Sequence, residues 1–479
     1  MRLQSPQVQL GVLFTYGLLM VALPEFLTPC GMSLLDSQRI RMYVGTWREQ
    51  LVICISGILG ILATNLLGPR AMLLLGTITG TLLSASMAVA AHNEIPGGHT
   101  FFLVAKIMDD IGYTMTRVCL VTMSLTYPCE RKKARVLGLF QLVLDMFVTL
   151  GEVLRQNHDV RHGGREQAMR TVWARLAFTS VSALCAVWVT PIGTVVRDSG
   201  VFVLAREIKS VSREVSKTAR LFGNKYMLLL MPYMFAYPFA LGIMGITFPN
   251  RQTVLVYNIG ALLALVLAFV LDIGSEWRRR RGQLGFALAT FVTIVCLCTM
   301  TVLNTRYVDK AALPSLIAHP GSPVNAYRLI HYHTLFYVTV FFNGMSISCV
   351  FLFTGWVIGS LTNDVEYTAR FSGALLSVPA LGTCAAYLCI ESDDSLPRVP
   401  ANSPLYVGIA LLAVSSCLMY YVVHCISDTN DWSLMRMKNA PRSATNSENN
   451  NVGQCCLVRF VDSASSVGGS SIAKRPLPE

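Results

Sequence analysis

The sequence predicts an all-helical membrane protein with twelve transmembrane helices in two six-helix halves. Three observations lead there: 53% of the 479 residues are apolar and only 14% charged, mean hydropathy is +0.51, and the apolar residues gather into long runs. A soluble domain carries about 25% charged residues, so a disordered chain, a disulfide scaffold and most cytosolic enzymes are excluded. A bilayer core needs roughly 20 apolar residues per helix. Twelve stretches qualify: 9–29, 50–67, 71–91, 101–126, 135–153, 172–192, 226–247, 254–274, 282–303, 333–360, 369–390 and 404–426. The first follows Arg2, contains Pro24 and lacks a convincing small-residue cleavage site, which points to a retained helix rather than a signal peptide. The 14 Cys lie mostly in apolar runs such as 293–299 and read as small hydrophobes. The adjacent pair Cys455 and Cys456 stands in a polar tail as a palmitoylation candidate.

The basic residues orient the spans. With both termini cytoplasmic, 24 of the 39 Lys and Arg fall on the inside and 12 in outer loops, while Lys106, Arg117 and Arg175 lie within spans. The net charge of +12 is therefore distributed as topology requires, with no nucleic-acid patch. No N-x-[ST] sequon marks an outer loop.

The chain divides into a first half (1–192), a cytoplasmic central loop (193–225), a second half (226–427) and a tail (428–479) whose polar composition predicts disorder. In the central loop, REIKSVSREVSKTARLF sets Ile208, Val211, Val215 and Leu221 at helical spacing among basic residues. That fits an amphipathic helix on the inner membrane surface or a solvated linker. Between spans 9 and 10, the outer loop 304–332 carries Pro314, Pro320 and Pro323 and reads as an irregular cap. Two inner loops correspond: NLLGPR (65–70) follows span 2, and LDIGSEWRRRRG (271–282) follows span 8. They set Asn65, Gly68 and Arg70 in one half against Asp272, Arg278, Arg279 and Arg280 in the other, suited to pairing with acidic groups or lipid phosphates, or to plain positive-inside anchoring. On the same side, 361–370 reads as a short loop, with Asn363 or Asp364 capping span 11. Two repeats, short inner loops and a long middle one describe the major facilitator architecture.

Six stretches, in order, carry a family likeness: VQLGVLFTYG with TPCGM (8–32), NLLGPRAMLLLGT (65–77), TYPCERKKARVLGLF (126–140), TPIGTVVRDSG (190–200), LDIGSEWRRRRG (271–282) and TGWVIGSLTNDVEYTARFSG (354–373). On these the chain resembles the UNC-ninety-three-like branch of the major facilitator superfamily, in the form common in fungi and other eukaryotic microbes. The resemblance implies twelve helices in two halves and membrane residence. It also implies a cavity lined by spans 1, 4, 7 and 10, and one of two roles, since some relatives act as regulatory or trafficking partners and others are presumed transporters. Two features depart from the family's pattern. The acid that many facilitators carry after span 2 is Asn65 here, and span 4 carries Asp109, Asp110 and Arg117.

Charges inside a bilayer are costly and seek partners in the bundle. Asp110 and Arg117 are seven residues apart on one face of span 4, and Asp145 and Glu152 repeat that spacing on span 5. The two helices are antiparallel, so counting from the loop between them sets Arg117 beside Asp145 near the midplane. Asp110 and Glu152 then lie nearer the outer face, at an outward-opening cavity, where two carboxylates could share a proton or hold a cationic solute. A structural network that fixes helix packing is the other reading of the four. Tyr233 and Tyr237 in span 7, with Pro238 kinking it, and Asn343 and Ser346 in span 10 are candidate cavity lining. The sequence carries no Ser/His/Asp, HExxH, P-loop or GxGxxG constellation and implies neither a cofactor nor a metal. Two functions remain open. One is a secondary transporter moving a small, proton-coupled solute across the plasma or a vacuolar or endosomal membrane. The other is a non-transporting partner of a channel or receptor.

Overall fold

The computed structural model describes residues 5–24, 27, 43, 46–91, 98–129, 132–157, 164–190, 195, 210–242, 251–272, 278–307, 323–362, 365–390 and 403–426, apart from some side chains, among them those of 145 and 148–157. Twelve α-helices occur among them: α1 (Pro6–Gly17), α2 (Trp47–Ala91), α3 (Gly98–Thr126), α4 (Lys133–Asn157), α5 (Gly164–Trp188), α6 (Val211–Phe222), α7 (Lys225–Gly242), α8 (Arg251–Asp272), α9 (Arg278–Tyr307), α10 (Pro323–Leu361), α11 (Val365–Ile390) and α12 (Ser403–His424). A π-helical turn, Leu18–Ala22, prolongs α1.

Each of the twelve apolar stretches overlaps a helix among the described residues. Seven helices are long and apolar enough to cross a membrane, among the described residues. The 45-residue α2 holds two stretches, broken at Gly68 (φ 76°, ψ 172°) and Pro69. That backbone region is essentially open to glycine alone, and the following proline cannot donate to the preceding turn. The turn between spans 2 and 3 is therefore a single residue wide.

Packing follows the membrane rule that small residues admit close helix approach. Gly260 of α8 faces the Phe341 carbonyl of α10, and Gly344 of α10 faces the Tyr257 carbonyl of α8. Gly57 of α2 lies likewise against Gly373 and Ser377 of α11. None of the three leaves room for a methyl group. The outward surface is apolar: Ile78, Leu184, Trp188, Phe291 and Val414 are each more than 60% exposed. Such a belt is wrong for water and right for lipid.

Several boundaries move. α10 starts at Pro323, so the last ten residues of the expected outer cap are helical. α11 starts at Val365, so half of the loop expected at 361–370 is its first turn and a half. The central loop does hold a helix, α6, but its buried face is Glu214, Thr218 and Leu221, while Val211 and Val215 face outward. The capping role of Asn363 or Asp364, the tail with Cys455 and Cys456, and residues 196–209 of the central loop lie outside the described residues.

Candidate functional site

Two polar clusters stand out from the apolar bundle. The first gathers at the end that holds the break at 68–69, residues 127–129 and the turn at 223–224, called the inner end after its expected orientation. Here Arg370, in the first turns of α11 and 1% exposed, grips the fully buried Glu214 of α6. Arg370 Nε donates to Glu214 Oε1 at 2.9 Å and a terminal nitrogen to Oε2 at 2.7 Å, a bidentate pair. Glu366, one turn before Arg370, accepts from Arg370 at 3.3 Å and from Lys217 of α6 at 3.2 Å. The Asn65 amide closes the cluster, donating to Glu214 Oε1 at 2.7 Å and to the Glu366 carbonyl at 3.4 Å.

At position 65, where the family likeness leads one to expect an acid, Asn65 is a donor and the carboxylate beside it is Glu214 of α6. Sequence reasoning passed over Glu214, Glu366 and Arg370. The signals were there: an acid alone in a basic helical segment, and an i,i+4 Glu–Arg pair that the loop reading of 361–370 concealed.

The corresponding loop of the second half works differently. Asp272 ends α8 with its side chain wholly buried, and its carboxylate accepts the N–H groups of Ala134 (3.2 Å) and Arg135 (2.8 Å) at the start of α4. A helix N-terminus offers unpaired N–H groups and positive potential, so Asp272 caps α4 from another helix. The Arg135 guanidinium adds a looser contact at 3.6 Å. Lys133 of α4 in turn donates to the Gly359 carbonyl near the end of α10, at 2.7 Å. Gly359 packs on Leu125 of α3, so the inner ends of α3, α4, α8 and α10 are closed together.

The remaining loop residues act locally. Gly68 makes the break in α2, and Arg70 donates to the Val187 carbonyl of α5. Arg278 is buried at the start of α9, Arg279 lies against His424 of α12, and Arg280 is exposed. Arg281 donates to the Leu271 carbonyl at 2.8 Å.

The second cluster sits within α2, α3 and α5, toward the other end. The buried Asp110 is paired with Lys106 one turn earlier and accepts from the Tyr43 hydroxyl at 2.9 Å. Lys106 also reaches Glu49 of α2, at 2.9 Å. Burial, with the Asp110 carboxylate beside it, pushes the Tyr43 phenol up, so it remains a donor. Asp109 faces Arg175 of α5 at 3.5 Å, and Arg175 donates to the Ser84 hydroxyl (2.7 Å) and the Gly80 carbonyl (3.2 Å). Asp109 Oδ1 is buried with no hydrogen-bond partner among the described atoms.

Of the four charges expected to form one network, the structure therefore places Asp110 among Lys106, Glu49 and Tyr43. Arg117 lies half-buried with Gln141 of α4 at 3.3 Å and the Tyr113 ring at 5.7 Å. Asp145 and Glu152 lie on α4, and their side chains fall outside the described set. Tyr233 and Tyr237 pack in the core of the second half, ring centroids 6.4 Å apart. Asn343 is buried, and Ser346 shares a 2.8 Å hydrogen bond with Thr293 of α9. Among the described residues, no group of three His, Cys, Asp or Glu is placed to hold a metal ion.

The fold is similar to that of solved major facilitator transporters. Three solved structures carry the likeness, with TM-scores of 0.53, 0.55 and 0.51: the E. coli fucose:proton symporter FucP, the same transporter in its outward conformation, and the human organic anion transporter MFSD10. Each covers 88% of this chain, and 99–100% of each is covered, at 12–16% sequence identity. The chain is accordingly a multi-pass integral membrane protein. Its curated homologues are UNC93-like proteins. UNC93-like proteins 1 and 2 of Arabidopsis thaliana are each 23% identical over 388 residues, 78% of this chain and 81% of theirs. An UNC93-like protein of Schizosaccharomyces pombe is 20% identical over 333 residues, 67% of this chain and 64% of its own. No protein-family model matches the chain.

Proposed function

We propose that the protein is a secondary transporter that moves a small solute by alternating access, with 1–192 and 226–427 as its two rocking halves. The observation that carries this reading is the character of the inner-end contacts. Asp272 on the α4 amides, Lys133 on the α10 carbonyl, and Glu214 and Asn65 with Arg370 and Glu366 join helices of one half, or the helix between halves, to those of the other. They are polar and directional, so they can break and re-form as a gate beside the apolar packing that also crosses between the halves. The α2–α3–α5 charge cluster supports coupling to protons. Among the described residues it holds three carboxylates, Glu49, Asp109 and Asp110, with two cations, Lys106 and Arg175, and a carboxylate in a low-dielectric bundle is a natural proton acceptor. One protein of similar fold, FucP, is itself a fucose:proton symporter.

Loss of the acid at position 65 favours the rival, a regulator that binds a channel or receptor; the Glu214 carboxylate hydrogen-bonded to Asn65 weighs against that argument. The test is a thermal-shift screen of detergent-purified protein against amino acids, sugars, nucleosides, drugs and metal cations at acidic and neutral pH. A bound solute raises the unfolding midpoint with the logarithm of its concentration over Kd, and a stabilising compound is then followed into proteoliposomes as uptake. Stoichiometric co-purification with another membrane protein, with no stabilising solute and no uptake, would favour the regulator.

A further inference from the structure

Arg117 of α3 belongs to neither cluster, and it stands about 14 Å along the helix from the inner end of α3 at Thr126. Its partners among the described residues are neutral. Its Nη2 donates to Gln141 Oε1 of α4 at 3.3 Å, and the guanidinium carbon lies 5.7 Å from the centre of the Tyr113 ring. Its Nε is buried and has no acceptor among the described atoms. Other arginines of the bundle set the contrast. Arg370 uses this same edge, Nε and Nη2, to hold both oxygens of Glu214, and Arg175 faces Asp109. In Arg117 the edge suited to a two-pronged carboxylate is met only by an amide oxygen, at a long distance for a hydrogen bond. The position also looks toward the second half. Gln141 lines a narrow void whose other walls include Ala261 and Ala264 of α8 and Ser348 and Leu352 of α10.

We propose that the Nε–Nη2 edge of Arg117 is the docking point for the carboxylate of an anionic solute. A charge inside a bilayer is kept where it is paired or where it serves the solute's path, and a carboxylate satisfies both donors of the edge at once. Gln141 then turns its amide to donate to the bound oxygen instead of accepting from Arg117. The inference rests on the transporter reading above and gives it a substrate class. A proton taken up by the α2–α3–α5 carboxylates balances the charge of the solute, so the pair crosses the low-dielectric bundle as a neutral load. Asp145, one turn beyond Gln141 on α4, is the rival occupant within the chain.

Detergent-purified full-length protein is followed by thermal unfolding at constant ionic strength in chloride. Acetate, lactate, succinate, glutamate and benzoate are each compared with the matching amide. At least one carboxylate is expected to raise the midpoint by several degrees near saturation, and its amide to leave it unmoved. Arg117→Gln abolishes the shift, and Arg117→Lys, which keeps the charge but loses the fork, weakens the fitted Kd by roughly tenfold. Gln141→Glu sets a carboxylate beside the edge, so it raises the midpoint in chloride and abolishes the shift. Equal response to acids and amides would overturn the proposal, as would a shift that survives Arg117→Gln. A shift seen only in Asp145→Asn, or a sharp fall of the Arg117→Gln midpoint in chloride, would also overturn it and assign the edge to Asp145. Transport fails separately. Carboxylate binding through Arg117 without uptake into proteoliposomes sinks the transporter reading alone, whereas uptake of a neutral solute unaffected by Arg117→Gln sinks the carboxylate site alone.

Discussion

Glu214 shows how much one side chain can hold together. It is fully buried, shares two hydrogen bonds with Arg370 and takes a third from Asn65. Removing one partner of a buried pair leaves the other charge uncompensated and costs on the order of 3–5 kcal/mol. Glu214→Gln is therefore expected to lower the unfolding midpoint sharply, and Glu214→Gln with Arg370→Met to recover much of the loss. A double variant as unstable as the sum of the singles would argue against the pair. Gly68 gives a second expectation. Nothing lies within 4 Å of where its Cβ would be, so Gly68→Ala costs only backbone strain at φ 76°, about 1–3 kcal/mol. Gly11→Ala, with equal room but a helical backbone, should leave the midpoint unchanged or raise it. Asn65, Gly68 and Arg70 were legible in the sequence as a motif because the turn chemistry is local. Glu214 was not, since its partner Arg370 lies 156 residues away.

Among the elements, α4 is the one whose start depends on its neighbours. Asp272 closes two of its N–H groups from α8, and its Lys133 reaches α10. Losing such a cap costs about 1–2 kcal/mol, concentrated in one turn. Asp272→Ala should speed hydrogen exchange at 133–137 well before it affects α12, while Asp272→Asn, whose amide oxygen still accepts one bond, falls between. Uniform exchange across the bundle would instead mean a global loss of stability. The helices themselves followed from their apolar runs, and the misplaced ends have a common cause. The first turn of α10 and that of α11 are polar enough to look like loops, and α11 is steadied by Glu366 and Arg370 contacts that no local pattern announces. In α6 the apolar periodicity identified a helix but did not announce its inward face, which is set by Arg370, a partner that the bundle offers to the Glu214 carboxylate.

At the scale of the whole molecule, the bundle gathers Glu49, Lys106, Asp109, Asp110 and Arg175 in α2, α3 and α5. Asp110→Asn is the informative variant there. Lys106 retains Glu49 at 2.9 Å, so the protein should fold, while a proton acceptor is lost. In proteoliposomes, uptake driven by an inward proton gradient is expected to fall at least tenfold, with counterflow exchange, which needs no net proton movement, largely kept. Gradient-driven uptake equal to that of the unsubstituted protein would place the coupling carboxylate elsewhere.

The fold class, the run of helices and membrane residence are already written in the chain, because burial in lipid demands long apolar segments with satisfied backbones and that demand is met residue by residue along the sequence. Even the intramembrane charges were visible as anomalies in an apolar background. Their partners were not. Asp110 meets Lys106 and Tyr43, Lys106 meets Glu49, Asp109 meets Arg175, Asp272 meets the amides of α4, and Glu214 meets Arg370. A charge in a bundle is satisfied by whatever the packing brings within about 3 Å, and that distance comes into being only once helices far apart in the chain have come to lie side by side.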